Sequence, residues 1–358
     1  MAGRLTAGGA LIVGPFPVTP QCFNAERGVA TSKLRGLCRE LKSIPGEPPA
    51  VKAFVVVATK GRPQEAANLL SHLRGQTYTA AAVVIVGASD SDVSLLREAE
   101  STQLHGTRVL VSDRPGLTVQ RNVGVAWITS SIDANFVEDE DYFVAFFDDD
   151  FLPANDWLAH CANCFTTHRD IVGLTGRILA DGVRGPGLTH RESLDYLAGR
   201  LPPQPHWASG SQPRDTGSVY GCNMAFRNTA IRGCRFDETL PLYGWQEDQD
   251  FTSQAIHFGR VIYWPNCKGV HMGIKVGRTS GVRFGYSQIA NPIYLVGKRT
   301  MRAWKAIRFI VRHLLANHVR SLRPPPYTDY RGRLRGNWLA LLDLATGKCH
   351  PTRILEIG

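Results

Sequence analysis

Between Val51 and Pro153, short unbroken apolar runs alternate with helical patterns, and this alternation constrains the fold more than any other feature. Phe54–Ala58 is largely β-branched and closes on a Gly-Arg-Pro turn. Leu69, Leu70 and Leu73 then share one helical face. "AAVVIVGAS" (Ala81–Ser89), a helical stretch at Ser91–Ser101 and "TRVLVS" follow. "GLTVQRNVGVAWITSS" reads as a loop feeding a helix, and "YFVAFFDDDFLP" (Tyr142–Pro153) is the fourth run. Strands that are apolar throughout are buried on both faces. The pattern predicts an α/β fold with a mostly parallel central sheet and helices on both sides. Sheets of this kind bind ligands at the carboxyl ends of their strands. The fourth run ends there on Asp148, Asp149 and Asp150.

Neighbouring carboxylates repel by roughly 4 kcal/mol per pair at 4 Å and an effective dielectric near 20, so such a cluster calls for a cation. Hard carboxylate oxygens suit Mg²⁺ or Mn²⁺, which share their remaining positions with phosphate oxygens. In an extended segment Asp148 and Asp150 point to the same side. The plainer alternative is a solvated acidic turn. A second acidic group, Glu247, Asp248 and Asp250 in "GWQEDQDF", opens a helix. Acids in a first helical turn are favoured by the dipole alone, by about 0.3–1 kcal/mol each, so capping is a serious alternative. Trp245 in front of them offers an apolar platform for a sugar face, next to a carboxylate that can act as a general base. His271, after the run "RVIYW", can complete a metal site or be merely packed. Lys275 and Arg278 are candidate phosphate partners.

Net charge is +10. Lys268–Arg335 holds fifteen Lys/Arg and one acid, Asp329, which points to an anionic partner. Within it, "RTMRAWKAIRFIVRHLLANHVRSLR" sets Trp304, Ile307, Val311, Leu314, Leu315 and Leu322 on one side of a helix. Arg302, Lys305, Arg312, Arg320 and Arg323 fall on the other. That helix either lies in an anionic membrane interface or packs on the core with a basic outer face. No apolar stretch reaches the roughly 18–20 residues of a membrane span. The N-terminus is too Pro-broken for a signal peptide, and the scattered cysteines fit reduced thiols in a cytosol. "HCANCFTTH" has zinc-like spacing, but His160, Cys161, Cys164 and His168 on a helix fit a partly buried face better.

In order, "VVVATKGRP", "GLTVQRNVG", "FFDDDFLP", "GCNMAFR" and "GWQEDQDF" resemble the successive motifs of family 2 glycosyltransferases of the GT-A fold, over roughly residues 51–278. The resemblance implies that Asp148 and Asp150 bind metal and nucleotide-sugar as a DXD motif, with Asp149 between them. It implies a catalytic base in Glu247–Asp248, with Asp250 as the alternative. Thr59, Arg62 and Arg121 would line the nucleotide site, and His271 would join the metal. Trp245 and Asn223 fall to the acceptor side. The family's second strand commonly ends in acids. Here Gly87 and Ala88 stand in their place, with Ser89 or Asp90 as substitutes. The implied chemistry is an inverting transfer from a nucleotide-diphosphate sugar to a glycan or lipid-linked acceptor. A cytoplasmic role in bacterial cell-surface polysaccharide assembly would suit it. The implied division is an extension at 1–50, a catalytic domain at 51–278 and a basic helical region at 279–358. A nucleotidyltransferase of similar architecture and a non-catalytic carbohydrate-binding protein remain as alternatives. No nucleic-acid-binding motif is present.

Overall fold

The structure is a computed structural model that describes residues 51–357 apart from 102–105, 134–140 and 278–279, with backbone alone over 98–101. The expected extension at 1–50 and Arg278 lie outside the described residues. β1 (Lys52–Thr59), α1 (Pro63–Arg74), β2 (Ala82–Gly87), α2 (Ser94–Ser101), β3 (Thr107–Val111), α3 (Leu117–Asp133) and β4 (Tyr142–Asp148) alternate as the sequence predicts. Then come β5 (Phe151–Pro153), α4 (Trp157–Thr167), β6 (Ile171–Asp181), α5 (His190–Leu197), β7 (Arg214–Asp215), β8 (Asn223–Arg227) and α6 (Asn228–Gly233). α7 (Glu247–Ala255) and β9 (Arg260–His271) close the sheet-forming part.

The sheet runs β3-β2-β1-β4-β8-β6-β9-β5, with β7 also on β9. β1 is parallel to β2 and β4, and β2 is parallel to β3. β8 is antiparallel to both β4 and β6, and β9 is parallel to β6 but antiparallel to β5 and β7. The central ladders are thus parallel, as expected, and the antiparallel pairings of β8, β5 and β7 make the sheet mixed. The sequence hides this because all of "NMAFR" is buried, and a strand covered on both faces reads as an apolar run in either direction.

Strand pleating splits the core into two layers. Val55, Val57, Phe143 and Phe147 pack on the side of α1, with Leu69, Leu70 and Leu73. Val56, Val84, Val144 and Phe146 pack on the other side, with Ile128 and Ile132 of α3. Each fully buried Phe of this set contributes roughly 1.5–3 kcal/mol of burial free energy. Ala58 lies opposite Asp148 and Thr59 opposite Gly87, so the carboxyl ends of β1, β2 and β4 form one rim.

Residues 281–345 hold three helices where the sequence suggested one: α8 (Gly281–Gly297), α9 (Ala303–Leu322) and α10 (Tyr330–Ala345). Pro292 and the glycines of α8 and α10 read as helix breakers. The glycines instead let the two helices touch. A Cβ on Gly336 would lie 2.0 Å from the Val282 carbonyl oxygen, and one on Gly285 equally close to that of Arg333. Gly336→Ala is expected to cost about 1–3 kcal/mol in urea unfolding, because backbone cannot yield as a side chain does. Gly185→Ala, with nothing within 4 Å of the new methyl, should leave the midpoint unchanged. Equal midpoints for the two variants would refute this packing.

The apolar stripe of α9 faces outward. Trp304, Ile307, Val311, Leu315 and Leu322 are exposed, and the helix turns Ala306 and Asn317 to the protein. The helix does pack on the core and keeps arginines outside, but through Ala306, Phe309, Ile310 and Leu314 rather than through the stripe, of which only Leu314 packs inward. No described helix is long and apolar enough to cross a membrane.

Candidate active site

The pleat that buries Phe146 on the α3 side of the sheet carries Asp148 to the same side. Arg121 of α3 meets it there. One guanidinium nitrogen donates to Asp148 Oδ1 at 3.0 Å and to the Gly221 carbonyl at 2.8 Å; another donates to Glu247 Oε1 at 2.6 Å. Arg121 is 1% exposed and its guanidinium lies over the rings of Phe146 and Phe236. The residue expected on the nucleotide surface is thus a buried crosspiece between the two acidic motifs. Burial pushes the Glu247 carboxyl up to about 8, with Arg121 pulling the other way.

Past Asp148 the chain turns, and Asp149 and Asp150 are both buried. Thr59 Oγ1 donates to Asp149 Oδ2 at 2.8 Å, and Arg62 lies 2.9 Å from both Asp149 and Asp150. Asp149 is therefore anchored by side chains, not by backbone amides. Burial raises its carboxyl to about 8, against the pull of Arg62. Asp150 Oδ2 accepts from the Ile274 amide at 2.8 Å, and its Oδ1 lies 3.4 Å from His271 Nε2. Burial alone would raise Asp150, but His271 and Arg62 outweigh it and hold it below the usual carboxylate range. For His271, burial opposes the charged ring, yet Cys222, Tyr220 and Asp150 outweigh it, so its pKa is raised.

Asp148, Asp150 and His271 each offer one ligand atom, and these atoms lie within 4.8 Å of one another. A six-coordinate cation with bonds of about 2.1 Å spans ligand pairs of roughly 3–4 Å, and two carboxylates with one imidazole are a donor set that Mn²⁺ or Mg²⁺ accepts. The residues fit such an ion. The other ring nitrogen of His271 lies 3.1 Å from Asp181 Oδ1 and 3.2 Å from Tyr220 Oη, which fixes the ring with Nε2 toward Asp150.

At the end of β2 the expected substitutes part company. Asp90 is exposed and pairs with Arg97. Ser89 turns to Asp92, donating at 2.9 Å, and Asp92 accepts from the Gly61 amide at 2.6 Å. Sequence reasoning missed Asp92, the buried carboxylate that pins the Lys60–Arg62 turn. Its only signal was the pair of acids in "SDSD".

The first-turn acids of α7 go three ways. Glu247 meets Arg121. Asp248 accepts from the amides of Gln249 at 2.7 Å and Gly221 at 3.1 Å. Asp250, 0% exposed, pairs with Lys298 at 2.7 Å and accepts from Gln254. Of the three, only Asp248 is half-buried, and burial raises its carboxyl against those two amides. A Cβ on Gly221 would stand 2.7 Å from Glu247 Oε1, so a larger residue would have to displace the carboxylate that Arg121 holds. The loop before α7 has positive φ at Leu242, Gly244 and Gln246. Leu242 and Gln246 thus store strain at the point that aims α7.

Trp245 turns its ring to Phe284, Phe309 and His313, with its carbonyl accepting from Asn291. Asn223 is fully enclosed, and its Oδ1 accepts from the Trp157 indole at 2.9 Å. Lys275 donates to the carbonyls of Gly182 and Val183. The zinc-like set is dispersed: Cys161 and Cys164 are in the core, His160 pairs with Asp156, and His168 meets Trp264 edge to face.

A sequence profile described as "Glycosyl transferase family 2" matches residues 54–234, half of the chain. Among solved structures, that of S. aureus TarS is 16% identical with a TM-score of 0.47, over 76% of this chain and 44% of that one. The chain thus spans less than half the length of that protein. S. aureus TarS 1–349 in complex with UDP-GlcNAc is 16% identical with a TM-score of 0.48, over 83% and 93%. A mannosyltransferase from Pyrobaculum calidifontis in complex with GDP-Man and Mn²⁺ is 14% identical with a TM-score of 0.48, over 88% and 92%. No curated protein sequence matches.

Proposed function

Because the chain belongs to glycosyl transferase family 2, with a GT-A-like α/β fold and a helical C-terminal region, we propose that it moves a sugar from a nucleotide-diphosphate donor to an acceptor hydroxyl with inversion. The observation that carries this reading is the Asp148–Arg121–Glu247 bridge, which ties one of the candidate metal ligands to the acids of α7. Asp148, Asp150 and His271 would hold Mn²⁺ or Mg²⁺. Bound there, the ion would neutralise charge on the leaving diphosphate. Thr59, Arg62 and Asp149 shape the donor side, with Asp92, held by Ser89, setting through the Gly61 amide the turn that presents Arg62. Asp90 is left to its surface ion pair.

Asp248 takes the proton of the acceptor hydroxyl as its oxygen attacks the anomeric carbon. The carbon–diphosphate bond breaks on the opposite face, and the nucleoside diphosphate leaves. Asp250 is enclosed by Lys298 and serves α7 rather than the acceptor. Trp245 and Asn223 position the loop and strand around the site. Residues 51–278 carry this chemistry, with 279–358 bracing α7 through Lys298, and 1–50 as an extension. The acceptor is a glycan or lipid-linked, presented at the cytoplasmic face of an anionic membrane during cell-surface polysaccharide assembly.

A panel of nucleotide-sugars with Mn²⁺ tests the reading. One donor should release its nucleoside diphosphate, a chelator should stop release, and the product should have the inverted anomeric configuration by NMR. Pyrophosphate release from sugar phosphate plus nucleoside triphosphate would instead establish a nucleotidyltransferase.

A further inference from the structure

We infer that the outer face of α9, together with the exposed side of α10, docks on an anionic bilayer surface. Trp304, Ile307, Val311, Leu315, Val319 and Leu322 are each about half or more exposed. Trp304 to Leu322 spans about 27 Å at 1.5 Å per residue. An apolar strip of that length on a described surface needs a cover.

The charge beside it identifies the cover. Arg308 and Arg312 flank the strip and are exposed. Arg302–Arg335 holds nine Lys/Arg and one acid, Asp329. Between α9 and α10 runs a groove of about 660 Å³ lined by Ser321, Arg331, Leu334, Arg335 and Trp338. Trp338 is exposed and sets its ring edge on His318, so the groove opens beside the strip. Apolar side chains, a bordering Trp and arginines together match acyl chains, interface and phosphate headgroups in turn.

Other occupants fit worse. A second copy would bring the same arginines against themselves. Residues 1–50 carry six Lys/Arg against three acids, so they too are repelled.

The inference deepens the reading of a membrane-side acceptor and depends on it for its purpose. Through its inner face α9 braces the first turn of α7, which carries the proposed base, and the loop before it. Lys305 donates to the Gln249 side chain, and Phe309 and His313 meet the Trp245 ring edge at 6.1 and 5.0 Å. The docking face is thus about one helix diameter, 10–12 Å, from that loop.

Vesicle flotation of the full chain, with no nucleotide-sugar present, tests the inference. The chain should float with phosphatidylcholine vesicles containing phosphatidylglycerol, less so as salt rises, and weakly with phosphatidylcholine alone. Val311→Glu with Leu315→Glu should lower the bound fraction about tenfold or more. Arg308→Gln with Arg312→Gln should lower anionic binding about tenfold and flatten its salt dependence. Both double variants should keep their unfolding midpoint and their turnover of a soluble acceptor.

Equal binding to neutral vesicles would overturn the inference. So would absence of binding together with a concentration-dependent dimer that Leu315→Glu dissolves, which assigns the face to a second copy. Absence of binding with cross-links from Lys33 or Lys42 to Lys305 would assign it to residues 1–50, and absence of all three would also overturn it. A chain that floats but releases no nucleotide from any donor keeps this inference and sinks the transferase reading. Transfer without flotation does the reverse.

Discussion

Asp248→Asn lowers transfer by about three orders of magnitude while Mn²⁺ and donor still bind. That is the expected result if this carboxylate takes the acceptor's proton, since positioned bases are worth roughly 10²–10⁴-fold. The substitution keeps the shape and one acceptor oxygen, so the bond from the Gly221 or Gln249 amide can persist. The loss should fall on kcat with the donor affinity unchanged. A pH series adds an independent readout. The base must be deprotonated, and burial raises its pKa. The acidic limb of kcat/KM should therefore sit above the ordinary carboxylate range, and it should vanish in the variant. Retention of full activity, or equal loss in Asp250→Asn with an unchanged fold, would reassign the base.

Asp150→Asn is expected to weaken Mn²⁺ binding by more than about 100-fold, since even outer-shell partners of metal ligands are worth 10–100-fold. The amide oxygen can still accept from Ile274, so the loop should hold its place and the unfolding midpoint should change little. Calorimetry without donor reads the affinity directly. In the parent chain affinity should rise with pH, because His271 has a raised pKa and must lose its proton before Nε2 can ligate. Mn²⁺ affinity that ignores both the substitution and the pH would remove Asp150 and His271 from the metal site.

Much of the fold was legible because burial on two faces leaves an unmistakable apolar run. β1, β2 and β4 appear where such runs stand, edge strand β3 follows its β-branched run with only Val109 buried, and the acids of Asp148–Asp150 fall on the strand-end rim. Direction is not written in such a run, so antiparallel β8 could not be told from a parallel strand. The helical period of α9 was legible, but the side it turns to the protein was not. Periodicity says that two faces differ; only the neighbours decide which is covered. Here small Ala306 and polar Asn317 face inward, where Asn317 donates to Gln288 and Asn337. Arg121 was read by its motif as a ligand contact, and its burial between two acids depends on residues about a hundred positions away. Asp92 was missed because the carboxylate sits within a short 3-10 turn rather than at the strand end itself. The glycines of α8 and α10 hide their role for a related reason. A residue chosen for close approach looks, in one dimension, like a residue chosen for a bend.

The crosspiece at Arg121 bears on how this enzyme could be redesigned. One cation serves Asp148 and Glu247, so the two acids are not separable parameters, and altering either reassigns the charge felt by the other. On the proposed reading, the turn at Ser89–Asp92 borders the donor side and the strained loop at Leu242–Gln246 leads into the acceptor-side acids. Exchanges of specificity should be sought in those two loops, with the arginine between them left alone.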